Sequence, residues 1–152
     1  MKKIINILLK NLILLCIFGC LYSNIELLWR NKTDVRMILV GGICGVLIGL
    51  INEIQPKISL FFQSLISTAI VLIVEFLFGY YFNIIQGLNI WDYSDLPFNL
   101  MGQICLPYAI LWLFLSIICI YVDDLLRYKL FGKEKPESFI NYIKKLFIKK
   151  EI

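Results

Sequence analysis

Glu26 and Arg30 stand four residues apart with the acid first, which on a helix puts them on one face in the order that favours pairing. Glu75 is the single ionisable side chain in an apolar run from Ile58 to about Phe78. Trp91, Asp92, Tyr93 and Asp95 crowd into one short stretch, followed closely by Asn99 and Gln103. Carboxylates set among guanidinium groups and aromatic rings can bind an ion or a polar substrate, and a carboxylate can act as a general base. The same residues can equally form a salt-bridge network that clamps helix ends. There is no histidine, and the five cysteines (Cys16, Cys20, Cys44, Cys105, Cys119) lie inside apolar runs without a CxxC pair. Zinc, haem and Cys-His chemistry therefore lack a ligand set. No metal or cofactor is expected and no residue is assigned as catalytic.

The elements that carry these residues follow from hydropathy. Of the 152 residues, 60% are hydrophobic and the mean hydropathy is +0.81. Soluble domains are about 45–50% apolar, and a single domain of this length cannot hide such an excess from water. A bilayer removes the difficulty, because lipid-facing side chains need no polar coat. The expected fold is all-α: a polytopic membrane protein with about four transmembrane helices over residues 1–130 and a basic, amphipathic tail helix over 131–152. The runs fall at Leu12–Leu28, Met37–Ile51, Ile58–Phe78 and Met101–Val122. Pro56 should break the turn at 52–57, Pro107 should kink the fourth helix, and Asn99, just after Pro97, is expected to cap it. In the second helix Gly41, Gly45 and Gly49 recur every four residues with Gly42 alongside, a row on which another helix can pack closely. In the tail, Phe139, Ile143, Leu146 and Phe147 share one face, with Lys144, Lys145, Lys149 and Lys150 around it. Such a helix suits an anionic leaflet. Met1-Lys2-Lys3 ahead of an apolar stretch resembles the start of a signal peptide, but no small-x-small boundary follows, so the segment is expected to stay as membrane helix.

Charge sets the topology. Eight of the 15 basic residues lie from Arg127 onward and none lies between Gly79 and Leu100. Basic segments stay cytoplasmic, so both termini are expected inside and residues 79–100 outside. The net charge of +4 is a matter of topology and not of nucleic-acid binding. Arg30, Lys32 and Arg36 break the rule by falling on the outer side, which an outer cluster with Glu26, Glu75, Asp92 and Asp95 would explain. In that cluster Glu75, about 25 Å along its helix, is expected to face Arg30 or Arg36. Glu53, Asp123 and Asp124 read as solvated helix ends on the other side.

The stretch from Trp91 to Leu106 reads WDYSDLPFNLMGQICL. It resembles the WDYSxLPxNxxGxICL block of the bacterial ABC-transporter type IV permeases. The likeness extends to Glu26 with Arg30, Met37 before Gly41-Gly42, Asn52-Glu53, Glu75 and Trp112, and so covers most of residues 20–125. The family's RGxxxG first loop is present only loosely, as Arg30-Asn31-Lys32-Thr33. The resemblance implies a multi-pass protein of the bacterial cell membrane that serves as a transport subunit, with no substrate attached. There is no GxxxxGK[ST] loop, so nothing here reads as a nucleotide-binding domain, and no EAA-type coupling loop that would grip an ATPase partner. Four helices leave little room for a path through one monomer, which points to a homo-oligomer or to separately encoded membrane or ATPase subunits within the lipid bilayer. Two alternatives stay open: a membrane scaffold or regulatory protein, and a carboxylate-dependent enzyme acting on lipid or cell-wall material.

Overall fold

The computed structural model describes residues 2–55 and 58–147, the first three as backbone only. Pro56 and Lys57 of the expected turn, and Lys149 and Lys150 of the tail, lie outside the described residues. Among those described, four helices are long and apolar enough to cross a membrane: α1 (Lys2–Arg30), α2 (Val35–Ile54), α3 (Leu60–Gly79) and α4 (Leu106–Phe131). A short fifth helix, α5 (Phe139–Lys144), follows.

Local chemistry sets the ends. α1 begins earlier than the apolar run alone indicated, because Lys2 to Lys10 contain no helix breaker. It stops where Asn31 turns left-handed at φ 55°, a conformation asparagine tolerates. Asp34 then caps α2, its carboxylate accepting the Arg36 amide at 2.9 Å. Ser59 occupies the capping position of α3. α3 does not end cleanly at Gly79; it widens into a π-helical segment, Tyr80–Ile85. α4 starts at Leu106, not at Met101, with Cys105 at the capping position. Asn99 is therefore not the cap of this helix, and Pro107 falls in its first turn. There a missing amide proton costs nothing, so no kink is called for. At the other end α4 runs past Val122 to Phe131, and Gly132 closes it at φ 68°.

Short connections turn α1 back on α2 and α2 back on α3, and the longer segment 80–105 leads from α3 to α4. α1 packs mainly on α2, which also meets α3 and α4, and α3 pairs with α4. α2 is thus the central helix, and its glycines explain how. A side chain at Gly41, Gly42 or Gly45 would collide with Tyr22, Leu15 and Phe18 of α1, and one at Gly49 with Asp123 of α4. Gly19 of α1 answers in kind against Ile38. The row is an intramolecular packing face shared between two neighbours.

Residues 80–105 gather at one end of the bundle, the loop end. The opposite, tail end holds the termini of α2 and α4. Here the tail folds back: Tyr142 is buried, its hydroxyl donates to Asp124 at 2.8 Å, and its ring lies 5.3 Å from Tyr121. Burial, then the Asp124 carboxylate, push this phenol up, so it stays a neutral donor. The Phe61 amide also donates to the Leu146 carbonyl at 2.9 Å. The tail helix is shorter than its apolar pattern indicated. Its buried anchor is Tyr142, while Phe139, Ile143 and Phe147 remain exposed.

Candidate functional site

A half-enclosed cavity of about 380 Å³ lies between α1 and α4. α2 forms its floor through Val40, Gly41, Cys44 and Gly45, and α3 contributes Val71 and Glu75. Leu21 and Ile25 of α1 and Leu111 and Ile118 of α4 line it and are exposed. The mouth therefore opens sideways between these two helices, at bilayer depth.

The cavity is polar at one end only. Toward the loop end it meets Tyr22, Glu26, Arg30, Glu75, Tyr93 and Trp112. Deeper, from Leu115 to Val122 of α4, its walls are apolar apart from Ser116 and Cys119. Tyr22 and Trp112 stack across it with centroids 5.7 Å apart, and Tyr93 stacks on Tyr108 at 4.5 Å. Tyr93 is driven up, first by burial and then by Glu75 and Tyr108, and stays neutral.

Glu75 is only 2% exposed. One oxygen accepts the Trp112 indole N–H at 2.9 Å, and no other hydrogen bond reaches it from the described residues. Neither Arg30 nor Arg36 is its partner. Arg30 donates one nitrogen to Glu26 at 2.8 Å and the other to the Ile90 carbonyl at 2.8 Å, so both ends of its fork are occupied. Thr33 donates its hydroxyl to the second oxygen of Glu26. Arg36 pairs with Asp34 at 2.9 Å and lies 5.4 Å over the Phe82 ring. The two arginines thus answer to acids within their own loop and helix ends. The other acid lining the cavity is Glu26.

The remaining sequence candidates build the loop above the cavity. Asn83, Trp91 and Gln103 form a buried knot. Asn83 donates to Gln103 at 2.8 Å and to the Trp91 carbonyl at 3.0 Å, and its own oxygen accepts the Ile90 amide at 2.7 Å. The Trp91 indole donates to the Gln103 carbonyl at 3.0 Å. Asn99 spends its amide on the Ser94 and Leu96 carbonyls and on the Gly102 N–H. Asp92 is exposed and accepts from the amide and hydroxyl of Ser94; Asp95 is exposed as well. Neither lines the cavity. Gly102, at φ 69°, sits where a side chain would strike Ser94 and Asp92, so only glycine fits the turn.

Sequence reasoning missed Asn83, Tyr22 and Tyr108, and misplaced one acid at the tail end. Asp123 is 1% exposed and accepts from the Arg127 Nε at 2.6 Å. Its spacing of four from Arg127 was the available signal. Asn52 donates to Asp124 at 2.6 Å, and Lys133 reaches Glu53 at 3.0 Å.

The fold and cavity define a class, a four-helix multi-pass membrane protein with a buried carboxylate facing a lateral chamber. The chain belongs to the family described as "Putative ABC-transporter type IV", whose model matches residues 4–148. This membership accords with a transport-subunit role and extends the likeness beyond the segment carried by the motif. No curated protein and no solved structure matches the chain.

Proposed function

We propose that the chain is an integral membrane subunit of a transport assembly and that the cavity between α1 and α4 is its ligand chamber. The observation that carries this reading is Glu75, buried at 2% exposure yet lining the cavity without a basic partner. An ionisable group at that depth is expensive and ordinarily serves a partner or a polar path. In this reading Glu75 receives the ligand, while the Glu26–Arg30 pair bounds the chamber and ties α1 to the loop. Trp91, Asn99 and Gln103 hold the loop in place over the chamber, Arg36 fixes the start of α2, and Asp92 and Asp95 face the exterior.

The chamber mouth lies between two helices, and four helices leave little room for a route through one chain. Transport then requires a second copy or separately encoded membrane or ATPase subunits against α1 and α4. The tail end, with its eight basic residues, is assigned to the cytoplasm, and the lysine- and arginine-free loop end to the exterior.

The test is native mass spectrometry of the full chain purified in mild detergent, beside a Leu115→Trp variant that fills the chamber. The parent should carry a bound small molecule that the equally folded variant lacks. Identical bound content in both would overturn the chamber reading, and co-purifying chains would identify the assembly.

A further inference from the structure

We propose that the chamber selects an amphipathic organic cation, with its charged head at Glu75 among the aromatic rings and its apolar tail along the deeper part of the cavity. This rests on reading the cavity as a ligand chamber.

Charge gives the sign. Glu26 and Arg30 neutralise each other at 2.8 Å, which leaves Glu75 as the acid on the cavity wall without a basic partner among the described residues. Arg30 gives one N–H to Glu26 and one to the Ile90 carbonyl, and with its charge balanced by Glu26 it offers an anion no surplus positive charge. A buried carboxylate without a counter-charge is costly, and an arriving cation supplies what the fold withholds.

The lining gives the kind of cation. Tyr22, Tyr93, Tyr108 and Trp112 surround the polar end, and aromatic faces attract weakly hydrated organic cations, quaternary ammonium groups above all. Metal ions of the calcium or magnesium type need about six or more oxygen ligands. Glu75 offers one oxygen beyond the one that Trp112 holds, set in largely apolar walls.

Shape gives the tail. From Leu115 to Val122 the mostly apolar wall advances seven residues along α4, about 10 Å along the axis. That apolar length accommodates a hydrocarbon or aromatic body. Its sideways mouth admits such a molecule from the bilayer, where an amphipath is already concentrated.

Tetraphenylphosphonium and tetraphenylborate have the same shape and opposite charge, so they isolate the sign. Binding of each, radiolabelled, to the purified full chain would be measured by equilibrium dialysis. Tetraphenylphosphonium should bind saturably, with tetraphenylborate at least about tenfold weaker, a gap of about 1.4 kcal/mol. Glu75→Gln should erase most of that gap, and Glu75→Asp, which keeps the charge, should retain it. Equal binding of the two ions, no saturable binding of the cation, or full discrimination in Glu75→Gln would each overturn the inference. Charge-blind binding that Leu115→Trp abolishes would refute the cation and leave the chamber standing. Binding unaffected by Leu115→Trp would refute both. The comparison of the two ions on the parent chain needs no variant to fold.

Discussion

The Trp112 indole donates to a Glu75 oxygen at 2.9 Å, joining α4 to α3 at the wall of the cavity. Glu75 is therefore held by a neutral donor and not by an arginine, so neutralising the arginines should not release it. Glu75→Gln keeps an oxygen for Trp112 and should unfold within about 1 kcal/mol of the parent, whereas Trp112→Phe leaves a buried acceptor unpaired, at about 1–3 kcal/mol. Adding Arg30→Gln to Glu75→Gln should give an additive loss and no rescue. Thermal unfolding in one detergent measures the parent, the three single variants and the double variant; a double variant more stable than Arg30→Gln alone would show that the arginine does compensate Glu75.

Gly45 should be intolerant of bulk, since even a methyl group there meets the Phe18 ring. Gly45→Leu must separate α1 from α2 or displace Phe18, and overpacking of this kind costs about 1–3 kcal/mol. The expected result is a lower yield of folded monomer in size-exclusion chromatography. Unchanged yield and melting temperature would mean that the two helices can slide apart freely.

At the tail end, Arg127 is 7% exposed and Asp123 is 1% exposed. Truncating either alone strands the other charge, at about 3–5 kcal/mol. The pair Asp123→Leu with Arg127→Met should recover most of that loss, because it removes both buried charges together. A double variant as unstable as the singles would point to a contribution beyond mutual compensation, with the contact of Glu53 to Arg127 at 3.8 Å the first suspect.

The Ser94 hydroxyl, then the Ser94 amide, hold Asp92 below its ordinary carboxylate range. A depressed folded value means the turn is fully supported above the ordinary range, about pH 3.9, and loosens as pH falls through the lower folded value. Ser94→Ala should move the Asp92 midpoint upward toward the ordinary range in a carboxyl-carbon NMR titration. A midpoint that stays put would remove the hydroxyl as the cause.

Reporter fusions at Gln86 should read extracytoplasmic, and fusions at Gln55 and after Phe147 cytoplasmic, as the distribution of basic residues requires. A cytoplasmic signal at Gln86 would invert the assignment of the chamber's polar end.

Membrane residence, the four helices and the loop that separates the third from the fourth were legible from residue order alone. They depend on run length and on polar interruptions such as Arg30 to Asp34, which tertiary contacts do not alter. The position of Glu75 along its own helix was legible for the same reason, since rise per residue fixes axial distance. Its partner was not. Lipid and protein interior are both apolar, so a membrane helix shows little contrast between its faces, and its rotation about its own axis is set by its neighbours. That rotation turned Glu75 to Trp112 and buried Asp123 in a helix that read as ending beside it. Packing also decided where α4 starts. Asn99 has the chemistry of a cap, yet its side chain is engaged by Ser94, Leu96 and Gly102, and Cys105 takes the position instead. The cavity exists only in three dimensions, because α1 leans on the glycines of α2 and leaves a gap before α4 that no single segment encodes.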